Sequence, residues 1–374
     1  MIYMKRAFLL FVLTCSLLAC SKPHAITITN NSELTREKEI VEIDYSDIRK
    51  LDIGTDFLLL DERGEEIPYQ LTYNNKVIFP VTINAGETAV IKVEKGIPSR
   101  FDTIACGAFY PQRKDDLAWE NDKSAYRAYG PALQQSGEKA FGYDIWTKSV
   151  EHPVVAQRYH NALELGIPYH KDNGDGMDVY TVGPTLGGGT TALLDTAGNL
   201  IFPWGFKDYE ILDNGPLRFT AKLTYDSGET RLISLDAGEY LNKTDVSYPN
   251  PENNVIASGI VIHRQNPEGF ELSAAKNYMA YADLTDNANA GNGVIYVGIV
   301  TEEADSMINL PLKEPQGDAI GHILALKSYK PGEKYTYYWG SGWSKGFMPD
   351  WESWLNYLAN FRSRLDSPLS VTVE

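Results

Sequence analysis

The chain has 374 residues, with 43% hydrophobic residues and 50 Asp and Glu against 34 Lys and Arg. That length and apolar share can bury a large core and exclude wholesale disorder. The formal charge of −16 argues against nucleic acid as a partner, because phosphate binding needs a basic face.

In chain order, Lys5 and Arg6 precede an apolar stretch, Ala7 to Leu18, too short to span a bilayer permanently. Leu17-Leu18-Ala19-Cys20 resembles a bacterial lipobox, in which Cys20 is lipidated and becomes the mature N-terminus. A plain secretory signal with an incidental Cys is the alternative. Ser21, Lys22 and Pro23 lack an acidic run, so the expectation is a lipid-anchored protein of the cell envelope, on the outer membrane facing the periplasm. Cys106 is then the one unmodified thiol, and no intrachain disulfide forms.

The body reads as short strands divided by turns. Ala25 to Thr29, Ile40 to Ile43, Phe57 to Leu60, Tyr69 to Thr72, Val77 to Pro80 and Ala89 to Val93 come first. Residues 100–190 are less regular and richer in Tyr, His, Asp and Gly. Strand rhythm returns from Leu217, and no repeat of propeller or solenoid length is present. Asp350 can cap a helix whose Trp351, Trp354, Leu355, Leu358, Phe361 and Leu365 share one face, and Ser370 to Val373 can add to a sheet edge. The expected fold is mainly β, an antiparallel β-sandwich with a C-terminal helix. The expected divisions are a leader (1–20), an N-terminal β-module (21–98) and a larger sandwich carrying the site (99–374). A single supersandwich is the alternative.

Chemistry concentrates in the middle third. His152, His160 and His170 fall within 19 residues of one another, and Tyr159-His160 and Tyr169-His170 place an imidazole beside a phenol. Such pairs suit proton abstraction from a carbon next to a carboxylate, and equally hydrogen bonding to sugar hydroxyls. In a strand, Tyr159 and His160 would point to opposite faces. Glu120, Asp122 and Asp144 can supply a carboxylate pair for glycosidic acid–base chemistry, or join a buried ion-pair network. Arg127 and Lys148 are the candidates to hold a substrate carboxylate, with Tyr126 and Trp146 as neighbouring contacts. Trp339 and Trp343, set among glycines, form a candidate sugar-stacking edge. The loop Asp172-Asn173-Gly174-Asp175-Gly176 has calcium-like oxygens without the EF-hand spacing, and a polar turn explains it. No cofactor is expected, with calcium the one ion this loop suggests.

The tracts RKDDLAWENDKSAYRAYGP (113–131), GYDIWTKS (142–149), HPVV (152–155) and YHKDNGDGMDVYTVGPTLGGGTTAL (169–193) resemble a domain-of-unknown-function family of Bacteroidetes lipoproteins. The resemblance covers most of the mature chain. It implies a polysaccharide-utilisation locus for pectin-like, uronate-bearing glycans. GPLRFTAKLTYD (215–226) and ISLDAGEYLNKTDVSY (233–248) are similar to the galactose-mutarotase-like supersandwich, which implies fold more than activity. The expected function is a carbohydrate-active enzyme, lyase or glycoside hydrolase, acting on uronate-containing oligosaccharides. A non-catalytic glycan-binding lipoprotein and a sugar epimerase are the alternatives. The expected partners are an oligosaccharide and, through Cys20, the membrane.

Overall fold

The computed structural model describes residues 24–249 and 255–374; the expected leader and Cys20 lie outside them. The expected mainly β fold is what forms, with antiparallel pairing in every sheet.

Ala25–Thr29 buries Ile26 and Ile28 and leaves the intervening residues half-covered, the two-residue period of a strand with one wet face. It sits in a four-stranded sheet, between Ser370–Val373 and Thr88–Lys95, with Phe57–Leu60 beyond. A three-stranded sheet of Arg36–Asp44, Lys76–Ile83 and Gln70–Leu71 packs on it around Ile28, Phe57, Phe79 and Ile91. The N-terminal module is thus closed by the last strand of the chain, with Ile28 opposite Val371.

The larger unit is a sandwich. An eight-stranded sheet runs, in spatial order, through Asp208–Asn214, Arg218–Thr224, Thr230–Asp236, Leu241–Ser247, Tyr335–Trp343, Ile295–Thr301, Tyr278–Asp283 and Phe270–Ser273. A five-stranded sheet faces it, built on Gly188–Leu194, Val255–His263 and Ala319–Ser328. Ile233, Ile260, Tyr281, Val297, Ile323 and Trp339 fill the space between them. Helix Trp351–Asp366 covers the other face of the large sheet with Trp354, Leu358 and Phe361. The Asp350 carboxylate accepts the Ser353 N–H at 2.8 Å, the expected cap. Gly298 lets this helix approach, since a Cβ there would lie 2.8 Å from Leu358 Cδ2.

Residues 100–190 are more ordered than their sequence suggests. Cys106–Tyr110, Asp116–Glu120, Ala125–Ala128 and Asp144–Trp146 form a four-stranded meander. Asp116–Glu120 and Ala125–Ala128 are buried at every position, so no alternation exists to be read. Helix Val155–Glu164 follows and carries Tyr159 and His160, so the opposite-face argument for a strand does not apply to them. No helix among the described residues is long and apolar enough to cross a membrane.

Candidate active site

The meander brings Asp116, Arg127 and Asp144 onto adjacent strands, with Asp144 directly opposite Arg127 in register. The Arg127 guanidinium donates to Asp144 and, at 3.1 Å, to Asp178 Oδ2; its other terminal nitrogen lies 3.5 Å from Asp116 Oδ2. Tyr129 and Trp146 rings lie 5.1 and 5.2 Å from it. All three carboxylates are buried. One cation among three buried carboxylates leaves an excess of negative charge that the interior opposes. Burial therefore pushes Asp116 up to about 6 and Asp178 well above the ordinary carboxylate range, the latter aided by neighbouring Asp144. Asp116 Oδ1 has no partner among the described residues, while the Tyr159 hydroxyl donates to Oδ2 at 3.0 Å. Arg127 is the cation these carboxylates surround, and no group of three or more His, Cys, Asp or Glu arranged for a metal occurs among the described residues.

The cluster reaches solvent at His170. Its ring is exposed, and Nδ1 lies 2.9 Å from the Asp178 carbonyl and 3.6 Å from Asp178 Oδ2. A carbonyl only accepts, so Nδ1 carries a proton, and in the neutral imidazole the lone pair is on the other nitrogen, Nε2. The flanking Tyr169 ring is 4.6 Å away, and its hydroxyl accepts from Arg113 Nε at 2.9 Å. The terminal nitrogens of half-buried Arg113 make no hydrogen bond to a described residue. The exposed imidazole and the half-buried guanidinium thus flank the Tyr169 phenol, whose ring is itself buried beside Trp146 and Tyr159.

Several expected residues fall elsewhere. Glu120 is a helix cap: its carboxylate accepts the Val154 and Val155 N–H groups at 2.8–2.9 Å, at the start of Val155–Glu164, where the helix dipole favours negative charge. Lys148 donates to that carboxylate at 2.7 Å and to the Asn121 carbonyl at 2.5 Å, fully buried. Neither group is free for a substrate, and Arg127 is likewise occupied. Asp122 accepts the Gly238 N–H at 2.7 Å and pairs with Lys123, which ties a loop rather than forming a carboxylate pair with Glu120.

The stacking edge is also corrected. Trp339 lies inside the sandwich, stacked on Tyr143 at 4.3 Å, and Trp343 is buried with its N–H on the Asn292 carbonyl. Tyr126 is buried and donates to the Tyr240 carbonyl, and buried Trp146 donates to Asp144 and stacks on Tyr169. Tyr159 spends its hydroxyl on Asp116. His152 and His160 are exposed, the latter on the outer face of its helix, and neither hydrogen-bonds to a described residue. In the loop expected to turn, Asp172 Oδ1 accepts the Gly174 and Gly176 N–H groups at 2.8 and 3.1 Å.

Asp116, Asp178, Arg113 and Tyr129 were not singled out from the sequence. Each sits within or beside a quoted tract, but only the pairing of strands shows that Asp116 and Asp178 converge on Arg127. A second imidazole–carboxylate pair, His263 Nδ1 on Asp283 Oδ2 at 2.6 Å, lies buried in the larger sandwich.

The model of the family described as Domain of unknown function (DUF4861) matches residues 28–371, and the chain belongs to that family. It is similar to the uncharacterised protein P7 of Formosa agariphila, 26% identical over 420 residues that span 99% of this chain and 100% of P7. Among solved structures it is similar to an alpha-mannosidase from Enterococcus faecalis V583, with 10% identity, a TM-score of 0.45, and 94% of this chain and 46% of the mannosidase covered. A glycosyl hydrolase family 38 protein from Enterococcus faecalis gives 9% identity and a TM-score of 0.43 over 94% of this chain and 47% of the other. The chain spans about half the length of these two solved proteins.

Proposed function

We propose that this member of the DUF4861 family is a carbohydrate-active enzyme that removes a proton from the carbon beside a carboxylate in a uronate-bearing oligosaccharide. The observation that carries the reading is His170, fixed through Nδ1 on the Asp178 carbonyl with Nε2 turned outward. Nε2 takes the proton from the carbon next to the carboxylate. The freed electron pair forms a double bond to the neighbouring carbon as its glycosidic C–O bond breaks. The leaving oxygen takes a proton from the Tyr169 hydroxyl. Arg113 pairs with the substrate carboxylate and stabilises the charge that builds on it. The Asp178 backbone carbonyl, 2.9 Å from Nδ1, keeps accepting its hydrogen bond and holds the imidazolium that results.

Hydrolysis is the alternative chemistry that the test separates; Asp116, which burial raises to about 6, is fully buried and would have to become accessible to act as its acid. The uronate substrate and an anchor at Cys20 facing the periplasm belong to the same proposal. The test is to incubate the chain from residue 21 with uronate-bearing oligosaccharides and follow ultraviolet absorbance and product masses. Elimination raises the absorbance and conserves mass. Hydrolysis adds the mass of water and leaves the absorbance flat. Binding without turnover of any member overturns the enzyme and leaves a glycan-binding lipoprotein.

A further inference from the structure

We infer that the cavity beside Trp204 is a second carbohydrate site, separate from His170, that takes an uncharged sugar ring. This rests on the reading that the chain handles glycans. The cavity holds about 500 Å³, within the range of small-ligand sites. Trp204 is 55% exposed, and the six other Trp residues are buried or half-buried. Its ring is braced edge-on against Phe141 at 5.2 Å, so the aromatic surface it shows to solvent is rigid. Ile201, 46% exposed, extends the apolar surface, and an exposed apolar patch lining a hollow marks a contact site. A flat aromatic ring suits the C–H face of a pyranose.

The polar groups set the ligand's charge. Gln134 Nε2 is buried without a hydrogen-bond partner among the described residues, and a sugar hydroxyl oxygen would satisfy it. No Lys or Arg lines the cavity among the described residues. Its two charged residues are carboxylates, each already paired: Asp226 with Lys207 Nζ at 3.0 Å and Glu229 with Arg231 Nε at 2.5 Å. A uronate would find no lining cation to pair with, since the nearby Lys207 and Arg231 are held by these carboxylates, whereas a neutral hexose or deoxyhexose meets a donor and an aromatic face.

The experiment is acrylamide quenching of tryptophan fluorescence in the chain from residue 21, where Trp204 is the most accessible indole. Neutral oligosaccharides of gluco, galacto, manno and rhamno configuration are compared with uronate oligomers. Protection by one neutral class and not by uronates supports the site. Trp204→Ala should then weaken calorimetric binding of that class at least about tenfold, and Gln134→Ala about three- to tenfold, with circular dichroism unchanged. Failure of every neutral sugar to protect, equal protection by uronates, or undiminished binding by Trp204→Ala overturns the inference. Protection without turnover of any uronate leaves it standing while the reading of His170 falls. Turnover of uronates without protection by a neutral sugar does the reverse.

Discussion

The molecule contains two imidazole–carboxylate pairs with opposite surroundings. His263 and Asp283 are 3% and 1% exposed, their Nδ1–Oδ2 distance is 2.6 Å, and the His263 Nε2 faces protein without a partner. Asp283 Oδ1 also accepts the N–H of Thr285, a β-branched residue held at φ +67. His170 is exposed, and the backbone carbonyl of Asp178 holds its Nδ1. The first pair has the shorter bond and no access; the second has the looser bond and an open Nε2. The difference teaches that a carboxylate beside an imidazole marks a base only where the far nitrogen can meet a substrate. Strand Val255–His263 carries its imidazole to the larger sandwich's interior, whereas the segment after helix Val155–Glu164 leaves His170 at the rim.

Three substitutions would break or sharpen that contrast. His170→Ala carries the largest expected effect: loss of a positioned base lowers turnover about 10²–10⁴-fold, with unfolding free energy changed by less than about 0.5 kcal/mol. Steady-state rates and urea denaturation of one preparation separate the two quantities, and a stability loss matching the rate loss would make His170 structural. Asp283→Ala should behave oppositely, costing about 3–4 kcal/mol of stability by leaving His263 and the Thr285 N–H buried and unpaired. Its rate per folded molecule should hold; a fall in that rate with stability intact would give the buried pair a chemical role.

Asp116→Asn is expected to have the smallest effect, near 3 kcal/mol and confined to a pH window. Burial raises Asp116 from 3.8 to about 6, so between those values the folded protein binds a proton that the unfolded chain has lost. Its contribution is complete below about pH 4 and is lost as pH rises through 6, by about 3 kcal/mol in all. Denaturation midpoints of the variant across pH 4–7 should be flatter than those of the parent. An unchanged slope would mean that Arg127 keeps Asp116 ionised throughout. His322 works in the opposite sense: burial lowers it to about 3 from 6.5, so its contribution is present above pH 6.5 and fades as pH falls towards 3.

Much of the fold was legible where the signal is local. Ile26 and Ile28 alternate with wetter residues, and Trp354, Leu358 and Phe361 recur at helical spacing behind an Asp that caps. Helix Val155–Glu164 was not legible, because its cap is Glu120, 34 residues upstream of Val154 and on another strand. The segment itself offers no Ser, Thr, Asp or Asn at its start. Around the candidate site, Tyr169 and His170 stood out as residue types suited to acid–base chemistry, and Arg127 as one suited to holding a carboxylate. Their roles did not, since the guanidinium available to a substrate is that of Arg113, and Arg127 is surrounded by Asp116, Asp144 and Asp178.

What the sequence by itself determined is the set of periods and caps: β-strands in both modules, the C-terminal helix, and a middle third rich in ionisable and aromatic groups. These depend on residues within a turn or two of each other, where spacing alone fixes which side chains share a face. Only the tertiary structure decided which of those groups water can reach. Glu120 and Lys148 bury each other, Trp339 packs against Tyr143, and Trp204 remains outside. Burial depends on partners brought together from distant parts of the chain, and the free energy of a charge or an aromatic ring follows its surroundings rather than its neighbours in sequence.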